Sequence, residues 1–541
     1  MKNSAPALAF LLFSALAAGA VAQPAPKPAP KLVVAISVDQ FSADLFAEYR
    51  QYFVGGLRRL SREGVVFPSG YQSHAATETC PGHSTILTGA HPDRTGIIAN
   101  NWFNLRLKKD KIYCAEDESQ STYTISAAHL KVPTLGKRMK VDNSAVRSVV
   151  VAGKDRAAVM LGGDKVDQIW WWKDKAFMGP AGQTSAAADR INKAVAEELA
   201  TPRSGSALPE ICEARNHAVT VGGTKTVGIN HFERNAGENG LFRASPDFDR
   251  AILALAAAVA AEMKLDEGNA TNLLAIGLSA TDYVGHTYGT EGAEMCLQLL
   301  SLDRELGFFF DKLDATGVDY VVVLTADHGG HDLPERNEEH AATAAVRVDP
   351  HLVASPMSQT IAQVLTLKDP VLYGEGASGD IYVDNNLTAS QKADVLDRAK
   401  KLYEASPQVA RVLTHAELQA RPRPTGSPDT WSLEDRARAS FDPERSGDLV
   451  VLLKPQVTPI TEERAKLEGE YVATHGSPWD YDRRVPILFW RRGITPFEQP
   501  LPVETVDIAP TLAALISLKV EPGAFDGKCL DLDAGLESTC K

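Results

Sequence analysis

The chain has 541 residues, of which 44% are hydrophobic and 23% charged, a composition typical of globular proteins and not of disordered ones. Its formal net charge of −13 argues against a nucleic-acid backbone as the main partner. The same charge does not exclude a small anionic substrate, because metals or clustered cations reverse the local field within a cleft.

The N-terminus has the pattern of a cleaved export signal. Lys2 provides a positive region, residues 7–18 form an apolar stretch, and Ala20-Val21-Ala22 fits the small-x-small cleavage rule. The apolar stretch is shorter than the roughly 20 residues that a spanning helix needs. We therefore expect a signal peptide at 1–22, a Pro/Ala-rich linker at 23–31, and a periplasmic or secreted mature protein without a membrane span.

Six cysteines and no Cys-x-x-Cys pair fit an oxidising compartment, without the cysteine density of a disulfide scaffold. Cys529 and Cys540 would close a short C-terminal loop and are the first candidates for a bridge. The pairing of the other four cysteines stays open.

Continuous β-branched apolar runs predict strands that are buried on both faces, as in a parallel sheet. They occupy 32–38, 148–152, 273–278, 320–324, 448–453 and 486–490. Amphipathic stretches at 251–263, 293–314 and 389–405 predict helices among them. This alternation predicts an α/β fold, a doubly wound, mostly parallel central sheet flanked by helices. We expect one catalytic domain at 32–541, with cap insertions around 95–145, 160–245 and 340–445.

Aspartates and histidines follow several of these runs, where parallel strands bring their carboxyl ends to one edge of the sheet. Carboxylate and imidazole ligands without thiolate suit zinc or another borderline metal. A single Asp after a strand is usually a helix cap or a turn residue, but several such sites together predict metal binding. The candidate ligands are Asp39, Asp282, His286, Asp327, His328 and His475.

Thr79 is the candidate nucleophile. It precedes Cys80-Pro81-Gly82-His83, and a proline shortly after a threonine predicts a helix start with Thr79 near the N-cap. A helix N-terminus presents free N–H groups and the positive end of a dipole, which favours phosphate. Thr79 alone would be no more than a cap, but a nearby metal would activate its hydroxyl.

Three further residues are candidates for binding a phosphoryl group. Lys154 and Arg156 follow the second run, and in an extended segment they would point the same way and reach one anion. A solvated surface turn is the alternative. Asn100 could donate a hydrogen bond to a phosphoryl oxygen, although the neighbouring Asn101 leaves that choice open.

As an ordered set, these motifs resemble those of the alkaline phosphatase superfamily, and within it the phosphate-irrepressible (PafA-type) alkaline phosphatases. The resemblance runs from residues 33–39 to His475-Gly476-Ser477 and so covers nearly the whole mature chain. The most telling matches are the T-C-P-G-H motif at 79–83, residues 96–102 with Asn100, the K-D-R motif at 154–156, Asp282 with His286, Asp327-His328-Gly329 and His475-Gly476.

The resemblance implies two Zn²⁺ ions per chain, each with three protein ligands. One ion would be held by Asp282, His286 and His475, and the other by Asp39, Asp327 and His328, with Thr79 also binding the second. The implied reaction is in-line attack by Thr79 on a phosphate monoester, with a phosphothreonine intermediate, broad specificity and release of inorganic phosphate. Asn100, Lys154 and Arg156 would hold the phosphoryl oxygens.

A threonine nucleophile also resembles the nucleotide pyrophosphatase/phosphodiesterases, which lack the Lys/Arg pair. Lys154 and Arg156 therefore favour monoesters, and a diesterase is the alternative. A non-catalytic zinc- or phosphate-binding homologue is a third hypothesis. We expect a monomer whose partners are small phosphate esters and not nucleic acid.

Overall fold

The buried apolar runs of the sequence form a ten-stranded central sheet in the computed structural model, which describes residues 28–106, 111–339, 344–535 and 537–540. The predicted signal peptide and the first part of the predicted linker, to residue 27, lie outside the described residues. Among the described helices, none combines the length and apolar character that crossing a bilayer requires.

The described strands are β1 (Leu32–Val38), β2 (Val65–Tyr71), β3 (Asn101–Phe103), β4 (Lys111–Tyr113), β5 (Ser148–Ala152), β6 (Gln168–Lys173), β7 (Ala176–Met178), β8 (Val219–Val221), β9 (Lys225–Val227), β10 (Asn272–Leu278), β11 (Tyr320–Thr325), β12 (Val346–Arg347), β13 (Leu372–Tyr373), β14 (Gly379–Val383), β15 (Val409–Thr414), β16 (Leu449–Leu453), β17 (Val457–Thr458), β18 (Arg484–Arg491), β19 (Phe497–Glu498) and β20 (Val503–Glu504).

The described α-helices are α1 (Ala43–Tyr49), α2 (Gly56–Glu63), α3 (Thr79–Thr88), α4 (Pro92–Thr95), α5 (Leu135–Asp142), α6 (Asp155–Gly162), α7 (Ala186–Leu199), α8 (Glu210–Glu213), α9 (Asn239–Arg243), α10 (Pro246–Glu262), α11 (Ala280–Tyr288), α12 (Ala293–Ala315), α13 (Pro334–Glu339), α14 (Ala354–Leu365), α15 (Ala389–Glu404), α16 (His415–Ala420), α17 (Leu433–Ala439), α18 (Glu462–Ala465), α19 (Asp480–Arg483) and α20 (Ile508–Leu515).

The central sheet is ordered β19-β2-β18-β11-β1-β10-β5-β6-β7, with β20 beside β2. The five strands from β11 to β6 are parallel. Along β1, Val34 and Ile36 enter the core covered by α10 and α12, whereas Val33 and Ala35 enter the opposite core, which includes residues of α3, α6 and α20. Because successive side chains enter opposite apolar layers, the whole strand reads as one apolar run.

Two of the strands predicted for a parallel central sheet are not parallel members of it. The run at 486–490 forms β18, which is antiparallel to both of its neighbours, β11 and β2. The run at 448–453 forms β16, which belongs to a separate four-stranded sheet ordered β13-β14-β16-β15. That sheet has its own apolar core with α14 and α15. An apolar run reports burial on both faces, but neither the direction of the strand nor the sheet that receives it.

All six cysteines are paired. The expected bridge between Cys529 and Cys540 is present. The pairs that the sequence left open are Cys80–Cys114 and Cys212–Cys296. Three disulfides fit a protein that matures in an oxidising compartment outside the cytoplasm.

Candidate active site

The candidate residues meet at the carboxyl edge of the parallel strands. β1 and β10 end in register at Val38 and Leu278, and the Asp39 N–H donates to the Leu278 carbonyl over 2.8 Å. Asp39 therefore lies directly beyond β1, Asp282 lies in the helix that follows β10, and Asp327 lies two residues beyond β11. The strand register thus brings residues nearly 300 positions apart into one cluster.

Asp39, Asp327 and His328 form a buried triad whose ligand atoms lie within 4.8 Å of one another. His328 Nε2 is 3.4 Å from Asp39 Oδ1 and 3.3 Å from Asp327 Oδ2. The Gln40 N–H donates to Asp327 Oδ1 over 3.2 Å and fixes the direction of that carboxylate. These are the three residues that the sequence resemblance assigns to one metal.

Asp282 is the centre of a second group. Its Oδ1 lies 3.3 Å from His286 Nε2 and 3.3 Å from His475 Nε2. Asp282 and His286 share one face of α11, as their spacing of four predicts for a helix. The triad that meets the 4.8 Å criterion contains His328 in place of His286, and the His328 and His475 rings stack at 3.6 Å. The two groups are therefore immediate neighbours.

Backbone carbonyls determine which nitrogen of each imidazole faces this cluster. The Nδ1 atoms of His286, His328 and His475 lie 2.8–2.9 Å from the carbonyls of Ala473, Gly329 and Thr77. A carbonyl can only accept, so each Nδ1 carries the proton and each Nε2 keeps its lone pair for the cluster. Metal-binding histidines are oriented in this way.

The chemistry of this donor set fits divalent metal ions. In the described part of the chain, Asp39 Oδ1, Asp282 Oδ1 and His328 Nε2 are buried and have no hydrogen-bond partner. Burial raises the pKa of Asp39, and the neighbouring carboxylates of Asp282 and Asp327 raise it further. Burial also lowers the pKa of His328 to about 3, so this imidazole is neutral. Clustered buried carboxylates and neutral imidazoles require a compensating cation.

Lys154 supplies part of that positive charge. Its buried ammonium lies 2.6 Å from Asp39 Oδ2 and 2.5 Å from Asp282 Oδ2. Burial opposes its charge, but these two carboxylates outweigh burial and raise the pKa of the Lys154 ammonium. The same ammonium lies 3.4 Å from Thr79 Oγ1, so it remains charged beside the candidate nucleophile.

Thr79 is buried at the first residue of α3, with Glu78 as the N-cap. The sequence placed Thr79 near the N-cap, and the helix begins one residue earlier than it would if Thr79 were the cap. The helix packs closely on the metal cluster, because a Cβ added at Gly82 would lie 2.0 Å from the Asp327 carbonyl oxygen. The Thr79 N–H and the positive end of the helix dipole therefore accompany the Thr79 hydroxyl into the site.

Lys154 and Arg156 do not lie in an extended segment, and that part of the sequence interpretation is wrong. Lys154 is the N-cap of α6, while Asp155 and Arg156 are its first two residues. The two cations nevertheless serve one region: Lys154 reaches the carboxylates, and Arg156 lines the adjacent cavity. Burial opposes the charge of Arg156, but Tyr113 and Tyr283 outweigh burial and raise the pKa of its guanidinium.

Asn100 and Asn101 have different surroundings, which the sequence could not distinguish. Asn100 Oδ1 accepts the Cys80 N–H over 2.9 Å, directly beside Thr79. The Asn101 amide instead donates to Glu375 over 3.0 Å. Asn100 is therefore the asparagine that is attached to the start of α3.

A cavity of about 340 Å³ opens onto these groups and is lined by Asn100, Arg156, Asp282, His286 and His475 among others. Its outer wall comes from the second sheet and its neighbours, including Phe103, Glu375, Asp380, Tyr382 and Phe441. Segments that the sequence inserts between strands of the central sheet thus form one side of the cleft.

Three residues of the cleft were not identified from the sequence. Glu78 accepts the Asn100 N–H over 2.7 Å. Tyr471 is 38% exposed, and its ring stacks on His286 at 4.2 Å with an interplanar angle of 8°. Burial raises the pKa of Asp380 to about 7. Glu78 lies within the Thr79 motif, so its position was a usable signal, whereas Tyr471 and Asp380 lie in segments without a motif.

A third Asp/His group among the described residues comprises His91, Asp93 and Asp526. Its carboxylates already have cationic partners, since Arg94 contacts Asp526 at 2.8 Å and Arg423 contacts Asp93 at 2.8 Å. This group is an ion-pair network, and we assign no metal to it.

Residues 33–478 match the protein family described as type I phosphodiesterase / nucleotide pyrophosphatase, a range that includes every candidate site residue. The chain belongs to this family. Among its relatives, alkaline phosphatase PhoK of a Sphingomonas species is 56% identical over 94% of this chain and 92% of its own length. Alkaline phosphatase PhoD of Zymomonas mobilis is 49% identical over 94% and 89%, respectively.

Two solved structures share the fold of this chain. The crystal structure of wild-type alkaline phosphatase PafA covers 94% of this chain and 99% of its own, with a TM-score of 0.80 and 25% identity. Murine ectonucleotide pyrophosphatase/phosphodiesterase 5 shares the fold at a TM-score of 0.53 and 13% identity. The predicted resemblance to PafA-type alkaline phosphatases and the predicted α/β fold class are confirmed.

Proposed function

We propose that the protein is an alkaline phosphatase that hydrolyses phosphate monoesters with broad specificity and releases inorganic phosphate. The observation that carries this proposal is the position of Thr79. Its hydroxyl lies at a helix N-terminus, 3.4 Å from the Lys154 ammonium, beside two groups of metal-ligand side chains. The alkaline phosphatases among its family relatives support the same reaction class.

We assign the metal ligands as two sets that hold two Zn²⁺ ions. Bound zinc would lower the pKa of the Thr79 hydroxyl and stabilise negative charge on the leaving oxygen. The chain contributes the orientation of its own ligands through the three Nδ1–carbonyl contacts and the Gln40 N–H. The sets are Asp282, His286 and His475 for one ion, and Asp39, Asp327, His328 and Thr79 for the other.

Thr79 attacks phosphorus in line with the leaving oxygen, which gives a phosphothreonine that water then hydrolyses. The Lys154 ammonium favours the deprotonated form of the Thr79 hydroxyl, because two carboxylates keep this ammonium in its charged form. Arg156 and the Asn100 amide, both on the cavity wall, bind non-bridging oxygens as charge is redistributed during transfer. The Thr79 N–H at the start of α3 adds a further donor near the same oxygens.

The cations also distinguish monoesters from diesters. A monoester dianion presents three non-bridging oxygens that charged donors can bind, whereas a diester replaces one of them with an uncharged substituent. Lys154 and Arg156 place two fixed positive charges near the transferring group, which favours the dianion. We propose that the mature chain acts as a monomer in the periplasm or after secretion, following cleavage of residues 1–22.

The decisive experiment compares kcat/KM for a nitrophenyl phosphate monoester and its methyl diester, using wild-type protein and Thr79→Ala, with zinc content measured on the same samples. We expect a monoester preference, and a loss of at least about a thousandfold in Thr79→Ala, the scale seen when a nucleophile is removed. Zinc content should stay near two per chain in both proteins, because six ligands remain.

The alternatives give different outcomes. A higher kcat/KM for the diester would support the phosphodiesterase hypothesis and overturn the monoesterase one. Zinc-replete wild-type protein without hydrolysis at alkaline pH would indicate a non-catalytic homologue. Retention of most monoesterase activity in Thr79→Ala would remove the nucleophile assignment.

A further inference from the structure

Asn100 is held at three separate points. Its N–H donates to Glu78 Oε2 over 2.7 Å, its Oδ1 accepts the Cys80 N–H over 2.9 Å, and its carbonyl accepts the Cys114 N–H over 2.9 Å. The Cys80 N–H can only donate, so the amide oxygen must face it and the Nδ2 group must face away. Within the described residues, Nδ2 has no protein acceptor.

The two cysteines that hold Asn100 are bonded to each other. Cys80 directly follows Thr79 in α3, and Cys114 directly follows β4 of the β3–β4 hairpin. Both are fully buried. The Cys80–Cys114 bridge therefore joins the two residues whose N–H groups bind the side chain and the main chain of Asn100. Because Cys80 is adjacent to Thr79, the same bridge connects this arrangement to the proposed nucleophile.

Glu78 closes the arrangement from the other side. It precedes Thr79, and its carboxylate binds the Asn100 N–H while lining the same cavity. The residues before and after Thr79 thus both bind Asn100, one through its main chain and the other through its side chain. Any displacement of Asn100 relative to Thr79 breaks at least one of these bonds.

We propose that the Cys80–Cys114 disulfide and Glu78 are positioning residues that hold the Asn100 Nδ2 group at the phosphoryl site. The inference rests on the proposed function, because Asn100 acts on substrate only if Thr79 is the nucleophile. Preorganised donors are effective because they need no rearrangement when charge develops. A misplacement of about 1 Å costs on the order of a hundredfold in rate.

A disulfide that only stabilises the fold would behave differently in a double-mutant cycle. Loss of stability lowers the active fraction by the same factor whether or not Asn100 is present. Loss of positioning has an effect only while Asn100 is there to be positioned. The coupling between the two changes is therefore the diagnostic quantity.

The experiment measures kcat/KM for a nitrophenyl phosphate in four zinc-loaded proteins: wild type, Asn100→Ala, the pair Cys80→Ala/Cys114→Ala, and the triple variant. Removal of one such donor should lower kcat/KM by about 10²–10³. We expect the disulfide pair to lower it by at least about tenfold in the wild-type background and by less than about twofold in the Asn100→Ala background. The pair Cys212→Ala/Cys296→Ala is the matched control, because it removes another fully buried bridge.

Equal losses in both backgrounds would overturn the positioning proposal and leave the proposed function intact. No effect of Asn100→Ala itself would instead count against the assigned phosphoryl site. If the disulfide pair fails to fold, Glu78 still tests the idea. Glu78→Gln keeps an oxygen acceptor and should retain kcat/KM within about twofold, whereas Glu78→Ala should lose about tenfold, and only when Asn100 is present. Equal values for these two variants would contradict the role of Glu78.

Discussion

At the scale of residues, the site depends on backbone groups that orient the side chains of the proposed metal ligands. Each of the three imidazoles donates Nδ1–H to a carbonyl, and these carbonyls belong to Thr77, Gly329 and Ala473. Two of these carbonyls come from the segments that carry Thr79 and His475. The loops are thus linked to one another through the ligands themselves, and a shift of one loop would turn the imidazole that its carbonyl holds.

Gly82 allows a close approach between α3, which carries the proposed nucleophile, and the proposed metal ligand Asp327. A methyl group there would lie 2.0 Å from the Asp327 carbonyl oxygen, so Gly82→Ala must displace α3 or the Asp327-His328 loop. We expect kcat/KM for a phosphate monoester to fall by about a hundredfold or more, as for other misplacements near 1 Å. Steady-state kinetics with zinc in excess would measure the loss.

The control for Gly82→Ala is Gly240→Ala, because a Cβ at Gly240 in α9 meets no atom within 4 Å. Its kcat/KM should match that of the wild type. Full activity of Gly82→Ala would show that the helix can shift without disturbing Thr79 and Asp327.

Residue-scale prediction from the sequence succeeded where spacing carries geometry. The spacing of Asp282 and His286 places them on one helical face, and Asp327-His328 follows a strand directly. Tyr471 could not be predicted in the same way, because its role depends on a contact with His286 across the fold, and such a contact leaves no local pattern. Glu78 has a positional signal beside Thr79, but its bond to Asn100 does not follow from that position.

At the scale of elements, helix α11 carries two of the proposed metal ligands, and its start is fixed by a buried acid in α10. Asp249 Oδ1 accepts the Ala280 N–H over 2.9 Å, and Oδ2 accepts the Gln298 amide over 2.9 Å. Burial raises the pKa of Asp249 to about 7, and these hydrogen bonds only partly oppose that effect. The junction between α10 and α11 therefore contains a titratable group that ionises near neutral pH.

The pKa of Asp249 implies a pH-dependent stability. An unfolded Asp has a pKa of about 3.9, so between about pH 4 and 7 the native protein keeps a proton that the unfolded chain has lost. The free energy of unfolding should fall through this window by up to about 1.4 kcal/mol per pH unit, relative to Asp249→Asn, and then stay level. Melting temperatures of both proteins from pH 5 to 9 would test this, and parallel profiles would contradict it.

Hydrophobic periodicity predicted which segments form helices and strands, but it predicted their positions in the fold only in part. The stretches at 251–263, 293–314 and 389–405 correspond to α10, α12 and α15. In contrast, β18 lies antiparallel between β11 and β2, and β16 lies in the second sheet. Both depend on pairing partners more than 150 residues and 60 residues away in the chain, respectively, which a local pattern does not record.

At the scale of the whole molecule, three buried carboxylates converge although the chain already carries a net charge of −13. Asp39, Asp282 and Asp327 are almost fully buried, and Lys154 neutralises only part of their charge. Their convergence opposes folding unless cations bind. Stability and activity should therefore depend on the same ions.

Metal removal tests this dependence. Treatment with a chelator should abolish monoester hydrolysis and lower Tm, because a ligand present at a thousandfold excess over its Kd stabilises the native state by about 4 kcal/mol per site. Readdition of Zn²⁺ should restore both, and calorimetry with metal analysis would follow them together. Chelator already saturated with Zn²⁺ is the control, and metal-free protein with unchanged Tm and activity would contradict the proposal.

The two ends of β1 lie at opposite edges of the central sheet. Near Lys31 the chain is joined to the amino edge of the sheet, where the Lys31 N–H donates to Asp319 and the Pro28 carbonyl accepts from Arg491. Asp39, at the edge that carries the candidate site, lies eight residues later, about 26 Å away at the rise of an extended strand. A support, affinity handle or fusion partner joined ahead of Pro28 would therefore attach on the far side from the cleft, and immobilised protein would keep its entrance open to substrate.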